Sequence, residues 1–123
     1  MDKKTASLLI DAAMGRIECD TVIRNACIID VFSKNTFVSD VYIINGLIAG
    51  FGEGMKAKQE IDAGGRYLIP GFIDAHCHIE SSHLSPSEFS DAVIPKGTTT
   101  VIADPHEICN VTGLDGMEYM LKA

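Results

Sequence analysis

The sequence has few basic residues and no long apolar run. Its 123 residues include 10 Lys and Arg against 17 Asp and Glu, which gives a net charge of −7. Because nucleic-acid backbones are bound by clustered Lys and Arg, this composition argues against a nucleic-acid partner. No apolar segment reaches the roughly 20 residues that span a bilayer, and none follows the N-terminal Met1-Asp2-Lys3-Lys4. We therefore expect a cytoplasmic protein without a membrane partner.

Cysteine and proline are also scarce, with four of each. The cysteines form neither a CxxC pair nor a zinc-ribbon spacing, which indicates reduced, buried thiols rather than a disulfide framework. With so few prolines and 46% hydrophobic residues, the composition is that of a folded domain. GxSxG, Walker and dinucleotide-binding glycine motifs are missing, so the sequence indicates neither a serine nucleophile nor a nucleotide-binding loop.

The first half of the chain contains short apolar runs separated by turn residues. A helix is predicted over residues 3–14, and a small antiparallel β region over residues 20–69. Asn45-Gly46 lies between two apolar runs and predicts a two-residue hairpin, since a type I′ turn needs positive φ at both positions. Gly64-Gly65 predicts a second hairpin in the same way. We therefore assign residues 1–69 to one domain.

The second half of the chain alternates strand and helix patterns. Strands are predicted over residues 72–76 and 98–103. Between them, Ser85 is suited to cap a helix, Pro86 to its first position, and Glu88 to a capping box with Ser85. A strand, a helix and a strand within about 30 residues form a βαβ unit, whose strands are parallel. We assign residues 70–123 to a second domain.

The last segment, from Thr112 onward, predicts a helix that runs to the end of the chain. Thr112 and Asp115 resemble a second capping box at its start. Two parallel strands cannot bury both faces of their sheet, so we expect the front part of a larger α/β protein. A complete small α+β domain is the alternative. Since missing parts would leave apolar faces and strand edges exposed, we expect the isolated chain to form homo-oligomers.

All four histidines fall within the 31 residues from His76 to His106. Alternation along a strand would place His76 and His78 on one side, together with Asp74 before them and Glu80 after them. Two imidazoles at the carboxyl end of a parallel strand form a plausible half of a metal site, suited to Zn²⁺, Fe²⁺ or Mn²⁺. A pair of polar surface histidines is the alternative.

A second polar cluster, Asp104-Pro105-His106-Glu107, follows the next predicted strand. It occupies the position that corresponds to that of the histidine pair, at the carboxyl end of a strand, where ligand sites of parallel α/β proteins lie. Asp-Pro is also a common turn initiator, and that interpretation stays open. His83 and the hydroxyls of Ser81 and Ser82 equally fit an ordinary loop.

The segment Pro70-Gly71-Phe72-Ile73-Asp74-Ala75-His76-Cys77-His78 resembles the amidohydrolase superfamily, whose members carry PGxIDxHxH on the first strand of a metal-dependent (β/α)8 barrel. Gly97-Thr98-Thr99-Thr100 is also typical of that superfamily. The resemblance implies a mixed β and α/β fold. An antiparallel β-sandwich region would occupy the first domain, and the first β-α-β-α of a truncated barrel would occupy the second.

Within that superfamily, the runs His78-Ile79-Glu80-Ser81-Ser82 and Asp104-Pro105-His106-Glu107 resemble the bacterial and archaeal adenine deaminases. This resemblance implies purine salvage, in which adenine and water give hypoxanthine and ammonia, with a purine base as the small-molecule substrate. It also implies a divalent metal, usually Mn or Fe with Zn possible, which activates water. The implied roles are metal ligands for His76 and His78, catalysis for Glu80 and Glu107, and substrate binding for Ser81 and His106. Because the other family ligands would lie downstream, we expect the 123 residues alone to be inactive.

Two other functions stay open. A cyclic amidase of the dihydroorotase or hydantoinase type belongs to the same superfamily, although the HIESS and DPHE runs argue against it. A non-catalytic fragment that acts as an interaction module is the other. The zinc site of cytidine deaminases is disfavoured, since His78-Ile79-Glu80 is not accompanied by PCxxC.

Overall fold

The computed structural model describes all residues, Met1–Ala123, in two units, Met1–Ile69 and Pro70–Ala123. The first unit consists of α1 (Lys3–Ala13), β1 (Cys19–Asp30), β2 (Asn35–Ile44), β3 (Leu47–Phe51), β4 (Ala57–Asp62) and β5 (Tyr67–Leu68). The second consists of β6 (Phe72–Cys77), α2 (Pro86–Val93), β7 (Thr98–Ala103), α3 (His106–Thr112) and α4 (Leu114–Lys122). None of these helices combines the length and the apolar character that crossing a membrane requires.

Strand β1 is the centre of the first unit. It pairs antiparallel with β2, which pairs antiparallel with β3, and these three strands match the predicted antiparallel region. On its other side β1 pairs in parallel with both β4 and β5, so the prediction is wrong for these two strands. All five strands belong to one hydrogen-bonded sheet.

The two predicted glycine turns have different outcomes. Asn45 and Gly46 have φ of 50° and 72° and join β2 to β3, which confirms the predicted hairpin. Gly64 and Gly65 also have positive φ, 58° and 78°, but they join β4 to β5, which both run parallel to β1. The second hairpin is therefore wrong, because positive φ marks a sharp change of direction without requiring that the chain reverse.

Helix α1 covers part of the sheet and forms the larger core of the first unit. Asp2 caps the helix by accepting a hydrogen bond from the Thr5 amide at 2.7 Å. Ala12 on the helix is fully buried with Val22 of β1 and Tyr42 of β2. Burial of this apolar surface holds the helix on the sheet, at about 25 cal/mol per Å².

A charged network stabilises a bulge in β1. The register of β1 against β2 shifts at Asn25, whose φ is 54°. The Asn25 amide donates to the buried carboxylate of Asp40 at 3.0 Å, and the Arg24 guanidinium donates to the same carboxylate at 2.8 Å. Arg24 also donates to the Tyr42 hydroxyl at 3.1 Å and to Glu60 on β4 at 2.5 Å. The network therefore ties β1 to both of its neighbours.

We expect Asp40→Asn to weaken the first unit at neutral pH. Burial raises the pKa of Asp40. The hydrogen bonds from the Asn25 amide and Arg24, together with the charge of Arg24, outweigh this effect, so the pKa lies below its ordinary value of 3.8. A carboxyl with a lowered pKa stabilises the fold above its unfolded-state pKa, and this contribution is lost as pH falls through the folded-state value. The expected loss is about 1–3 kcal/mol in the free energy of unfolding at pH 7.

Urea unfolding of both chains, at neutral pH and through the acid range below the ordinary carboxyl pKa, measures this effect. The difference in the free energy of unfolding between the wild-type chain and Asp40→Asn should shrink as the pH falls. Glu53→Gln removes a charge from an exposed loop of the same unit and should leave the pH dependence unchanged. If the difference in the free energy of unfolding stays constant with pH, the ionised Asp40 carboxylate is not the source of the stabilisation.

Strands β6 and β7 of the second unit pair in parallel, with α2 between them in the chain. The predicted capping box of α2 is confirmed. The Ser85 hydroxyl accepts from the Glu88 amide at 3.3 Å, the Ser85 amide donates to the Glu88 carboxylate at 3.0 Å, and Pro86 occupies the first turn.

The last part of the chain differs from the prediction. Thr112 ends α3 instead of opening a helix, and its hydroxyl donates to the Ile108 carbonyl at 2.9 Å. The predicted capping box is therefore wrong, because the threonine hydroxyl bonds back into its own helix rather than forward. Gly113, with φ of 66°, separates α3 from α4. Gly116 then lets the two helices approach closely, since a Cβ atom there would lie 2.4 Å from the Thr112 hydroxyl oxygen.

Candidate functional site

The candidate site lies where β6 and β7 end side by side. The last residues of the two strands, Cys77 and Ala103, are paired, and the Asp104 amide donates to the Cys77 carbonyl at 3.0 Å. The segments that begin with His78 and Asp104 therefore leave the same edge of the sheet. This brings together the two polar clusters that the sequence placed at corresponding strand ends.

His76 and His78 lie in direct contact. Their Nε2 atoms are 3.2 Å apart, and the ring planes are nearly perpendicular, at 88°. The Nδ1 atom of His78 lies 2.9 Å from the Asp104 backbone carbonyl oxygen. Since a carbonyl oxygen can only accept, the His78 proton sits on Nδ1, and in the neutral ring Nε2 carries a lone pair. The predicted pairing of the two imidazoles is therefore present.

The geometry of this pair fits a divalent cation. Two nitrogen ligands at 2.0–2.1 Å from a tetrahedral ion lie roughly 3.3 Å apart, close to the distance between the two Nε2 atoms. The bond from His78 to the Asp104 carbonyl is the second interaction that metal-bound histidines commonly make through their other ring nitrogen. His76 and His78 thus have the donor type, spacing and orientation of two metal ligands.

His106 and Asp104 extend the histidine cluster. The His106 ring packs edge-on against His78, with centroids 4.8 Å apart, and its Nδ1 atom lies 3.1 Å from the Asp104 carboxylate. One ligand atom from each of His78, Asp104 and His106 lies within 4.8 Å of the others. Asp104 was not among the site residues chosen from the sequence. Its position two residues before His106 could have marked it as a site residue. A turn that begins at Asp-Pro explained the presence of the aspartate equally well.

Glu80 does not continue the strand pattern of the two histidines. β6 ends at Cys77, and Ile79 adopts helical φ and ψ at the start of a single 3₁₀ turn, Glu80–Ser82. The expected alternation from His78 to Glu80 is therefore wrong. The Glu80 carboxylate lies instead 3.5 Å from the backbone nitrogen of Ile108, in the first turn of α3, and its second oxygen is buried without a hydrogen-bond partner.

A hydrogen bond between Ser81 and Glu107 joins the 3₁₀ turn to α3. The Ser81 hydroxyl donates to the Glu107 carboxylate at 2.7 Å. The structure therefore divides the six candidate residues into two groups. His76, His78 and His106 form one, and Glu80, Ser81 and Glu107 form the other. Both groups connect the segment after β6 to the segment after β7.

Cys77 lies between the two histidines but has the properties of a packed thiol. Burial raises its pKa, and the nearby charges of Asp74 and Glu80 raise it further. A thiol with a raised pKa stays protonated at neutral pH, and only the thiolate is a strong nucleophile or metal ligand. The site therefore presents imidazole and carboxylate groups. All four cysteines of the chain are unpaired.

Residues 67–123 match the sequence model of the Amidohydrolase family. This match confirms, for that part of the chain, the resemblance seen in Pro70–His78. Two solved structures are similar to the chain over 71% of its length. They are a zinc-containing N-acyl-D-glutamate deacylase from Bordetella bronchiseptica (27% identity, TM-score 0.56, 19% of that chain) and the L-hydantoinase of Arthrobacter aurescens (26% identity, TM-score 0.57, 21% of that chain).

Curated relatives are similar over the whole chain. Adenine deaminase 2 of Desulfotalea psychrophila is 52% identical, and the adenine deaminase of Ligilactobacillus salivarius is 50% identical, each over all 123 residues. The adenine deaminase of Bacillus velezensis is 48% identical over 122 residues. In each case the match covers 21% of the relative, so the chain spans about a fifth of the length of these enzymes.

Proposed function

We propose that this chain forms the first part of an adenine deaminase, a metal-dependent hydrolase that acts on a C–N bond. The observation that carries the proposal is the contact between His76 and His78, whose Nε2 atoms have the spacing of two metal ligands, with His78 held by the Asp104 carbonyl through its Nδ1 atom. The similarity to adenine deaminases over all 123 residues supports the purine base as substrate and purine salvage as the role.

The charge around the site supports a cation ligand. The second unit, Pro70–Ala123, contains eight acidic residues and two basic ones, Lys96 and Lys122. Such an excess of negative charge attracts cations to the region. We propose Mn²⁺ or Fe²⁺ as the resident ion, with Zn²⁺ as the alternative, because all three accept imidazole and carboxylate ligands.

Each candidate residue has a role that its contacts allow. His76 and His78 would hold the ion, which when bound lowers the pKa of water and supplies hydroxide near neutral pH. Glu80 and Glu107 are the carboxylates that could carry a proton to the departing amine. Ser81 orients the Glu107 carboxylate and, with His106, offers polar groups to the edge of a purine.

The rest of the site is proposed to come from a longer polypeptide. In this proposal the first unit is the start of a β-sandwich region, and β6, α2, β7 and the helices after it begin a (β/α)8 barrel. Large apolar side chains of the present chain are exposed, among them Phe32 (95%) and Leu121 (81%). We propose that such surfaces are covered by further chain or by self-association in the cytoplasm. A strictly monomeric chain in sedimentation at high concentration would contradict the self-association.

A chimera tests the activity directly. The 123 residues replace the matching segment of Desulfotalea psychrophila adenine deaminase 2. The two segments are 52% identical over the whole of the present chain. We expect the chimera to release ammonia from adenine and to form hypoxanthine, since the local contacts of the site are carried over intact. The 123-residue chain alone should release none.

The cyclic-amidase alternative is examined with the same chimera, because one of the similar structures is an L-hydantoinase. Hydantoin and dihydroorotate are offered in place of adenine. A folded, metal-loaded chimera that hydrolyses either compound but not adenine would favour that alternative. A chimera that folds and binds metal but attacks none of the three would favour a non-catalytic role for this segment.

A further inference from the structure

We propose that Ser81 is a positioning residue that acts through Glu107. The family resemblance implies that Ser81 binds substrate, but in the structure its single hydroxyl proton is donated to the Glu107 carboxylate. A side chain on the turn after β6 thereby fixes a carboxylate on the helix after β7. The use of Glu107 in catalysis rests on the proposed function, whereas the contact between the two side chains does not.

The 3₁₀ turn holds Ser81 in a defined position. Ile79, which precedes the turn, is only 7% exposed, and its carbonyl accepts from both the amide and the hydroxyl of Ser82, at 3.0 and 2.5 Å. At the other end, the His83 amide donates to the Glu80 carbonyl at 3.1 Å. The Ser82 hydroxyl therefore closes the turn on itself, and the Ser81 hydroxyl is the one that contacts another segment.

Glu107 has little support from its own helix. It is the second residue of α3, it is exposed, and no side chain caps that helix. A glutamate side chain in such a place samples many rotamers, because three of its bonds rotate. The hydrogen bond from Ser81 is 2.7 Å long, which is typical of a hydroxyl that donates to an ionised carboxylate, and such bonds are stronger than neutral ones. Ser81 therefore selects one orientation of the Glu107 carboxylate.

This orientation suits a group that carries a proton. When water attacks C6 of adenine, a C–O bond forms and the C–N bond breaks, so the water loses a proton and the departing amine gains one. A carboxylate that takes the first proton and delivers the second leaves as it began, ionised, and must reach both groups. A displacement of about 1 Å can lower the rate by about 100-fold. Since Ser81 holds one oxygen, Oε1, the other oxygen is left to carry the proton.

Hydrogen exchange of the Cys109 amide in the 123-residue chain tests the contact itself. This amide donates to the Pro105 carbonyl at 3.1 Å and so reports on the first turn of α3. We expect Ser81→Ala to raise its exchange rate by about 5-fold, the effect of losing one hydrogen bond. Ser81→Thr keeps the hydroxyl at an exposed position and should stay near the wild-type rate. In a Glu107→Ala chain, Ser81→Ala should have no further effect.

The positioning role is tested in the chimera with adenine deaminase 2. We expect Ser81→Ala to lower kcat by about 10-fold while KM changes by less than about twofold, because the proton transfer is impaired and adenine binding is not. Ser81→Thr should recover most of kcat. Ser90→Ala is the matched control, since the Ser90 hydroxyl also donates a 2.7 Å hydrogen bond, but to the Ser87 carbonyl within α2. Circular dichroism reports whether each variant keeps its helices and strands.

Each part of the proposal has a result that overturns it. An unchanged exchange rate in Ser81→Ala, or an equal increase in the Glu107→Ala chain, would show that Ser81 does not fix Glu107. In an active chimera, a wild-type kcat in Ser81→Ala would show that the contact is only structural, and a higher KM at unchanged kcat would return Ser81 to substrate binding. If the chimera folds and binds metal but is inactive with all residues intact, the proposed function fails, and the exchange rates still decide whether Ser81 fixes Glu107.

Discussion

Replacing His78 with alanine is expected to reduce the affinity of the chain for Zn²⁺ by at least about 100-fold. Loss of a group that only orients a ligand typically costs 10–100-fold, and loss of a ligand itself costs more. His78 is the ring that both touches His76 and is held by the Asp104 carbonyl, so its removal takes away a donor and the contact that orients the pair. His76→Ala should have a similar effect.

Isothermal titration of the metal-free chain with Zn²⁺ and with Mn²⁺ measures this loss. His83→Ala is the control, because His83 is an exposed histidine that lies only five residues further along the chain. It should bind Zn²⁺ as the wild-type chain does. Equal weakening in His78→Ala and His83→Ala would show that binding is not localised at the β6 pair, and the proposed site would then be wrong.

Gly71→Ala is expected to destabilise the second unit by about 2–3 kcal/mol. A Cβ atom at this position would lie 2.0 Å from the Thr99 hydroxyl oxygen and 2.7 Å from the Thr99 Cβ atom. Such distances are far inside van der Waals contact. Thr99 belongs to β7, whose neighbour Thr98 pairs with Phe72 at the start of β6. The clash can therefore be relieved only by forcing the threonine aside or by separating the two strands.

Hydrogen exchange of the β6 and β7 amides measures the loss of stability in the second unit. Thr99→Ala removes the hydroxyl and methyl groups that would clash, so the double variant should recover part of the loss, with a coupling energy of about 1 kcal/mol or more. Gly50→Ala serves as the control, because its added Cβ would meet only Ala13, at an ordinary distance of 3.8 Å. Additive effects of the changes at Gly71 and Thr99 would contradict the steric explanation.

The features that the sequence predicted well are local ones. The capping box of α2 depends on residues three positions apart, and the Asn45-Gly46 turn depends on two neighbours. The directions of β4 and β5 were predicted wrongly because their partner β1 lies about 40 residues away in the chain. Turn chemistry at Gly64-Gly65 carries no information about that distant pairing.

The site shows the same division between local and distant information. The contact between His76 and His78 followed from alternation at a strand end and could be predicted. The position of Glu80 could not, because one residue of helical conformation at Ile79 ends the alternation. The carbonyl of Asp104 has no signature in a sequence, since every residue has the same main-chain oxygen. Only the strand pairing brings it to His78.

The central position of β1 has a consequence for how the chain folds. Its antiparallel side closes through a short turn, with Asp30 paired to Asn35, whereas its parallel side joins Cys19 to Ala57 and Cys27 to Tyr67. Local pairs form quickly, and pairs that close long loops form late. During synthesis on the ribosome, β1 to β3 can therefore assemble first. One edge of β1 stays open to other extended segments until residues 57–68 have emerged.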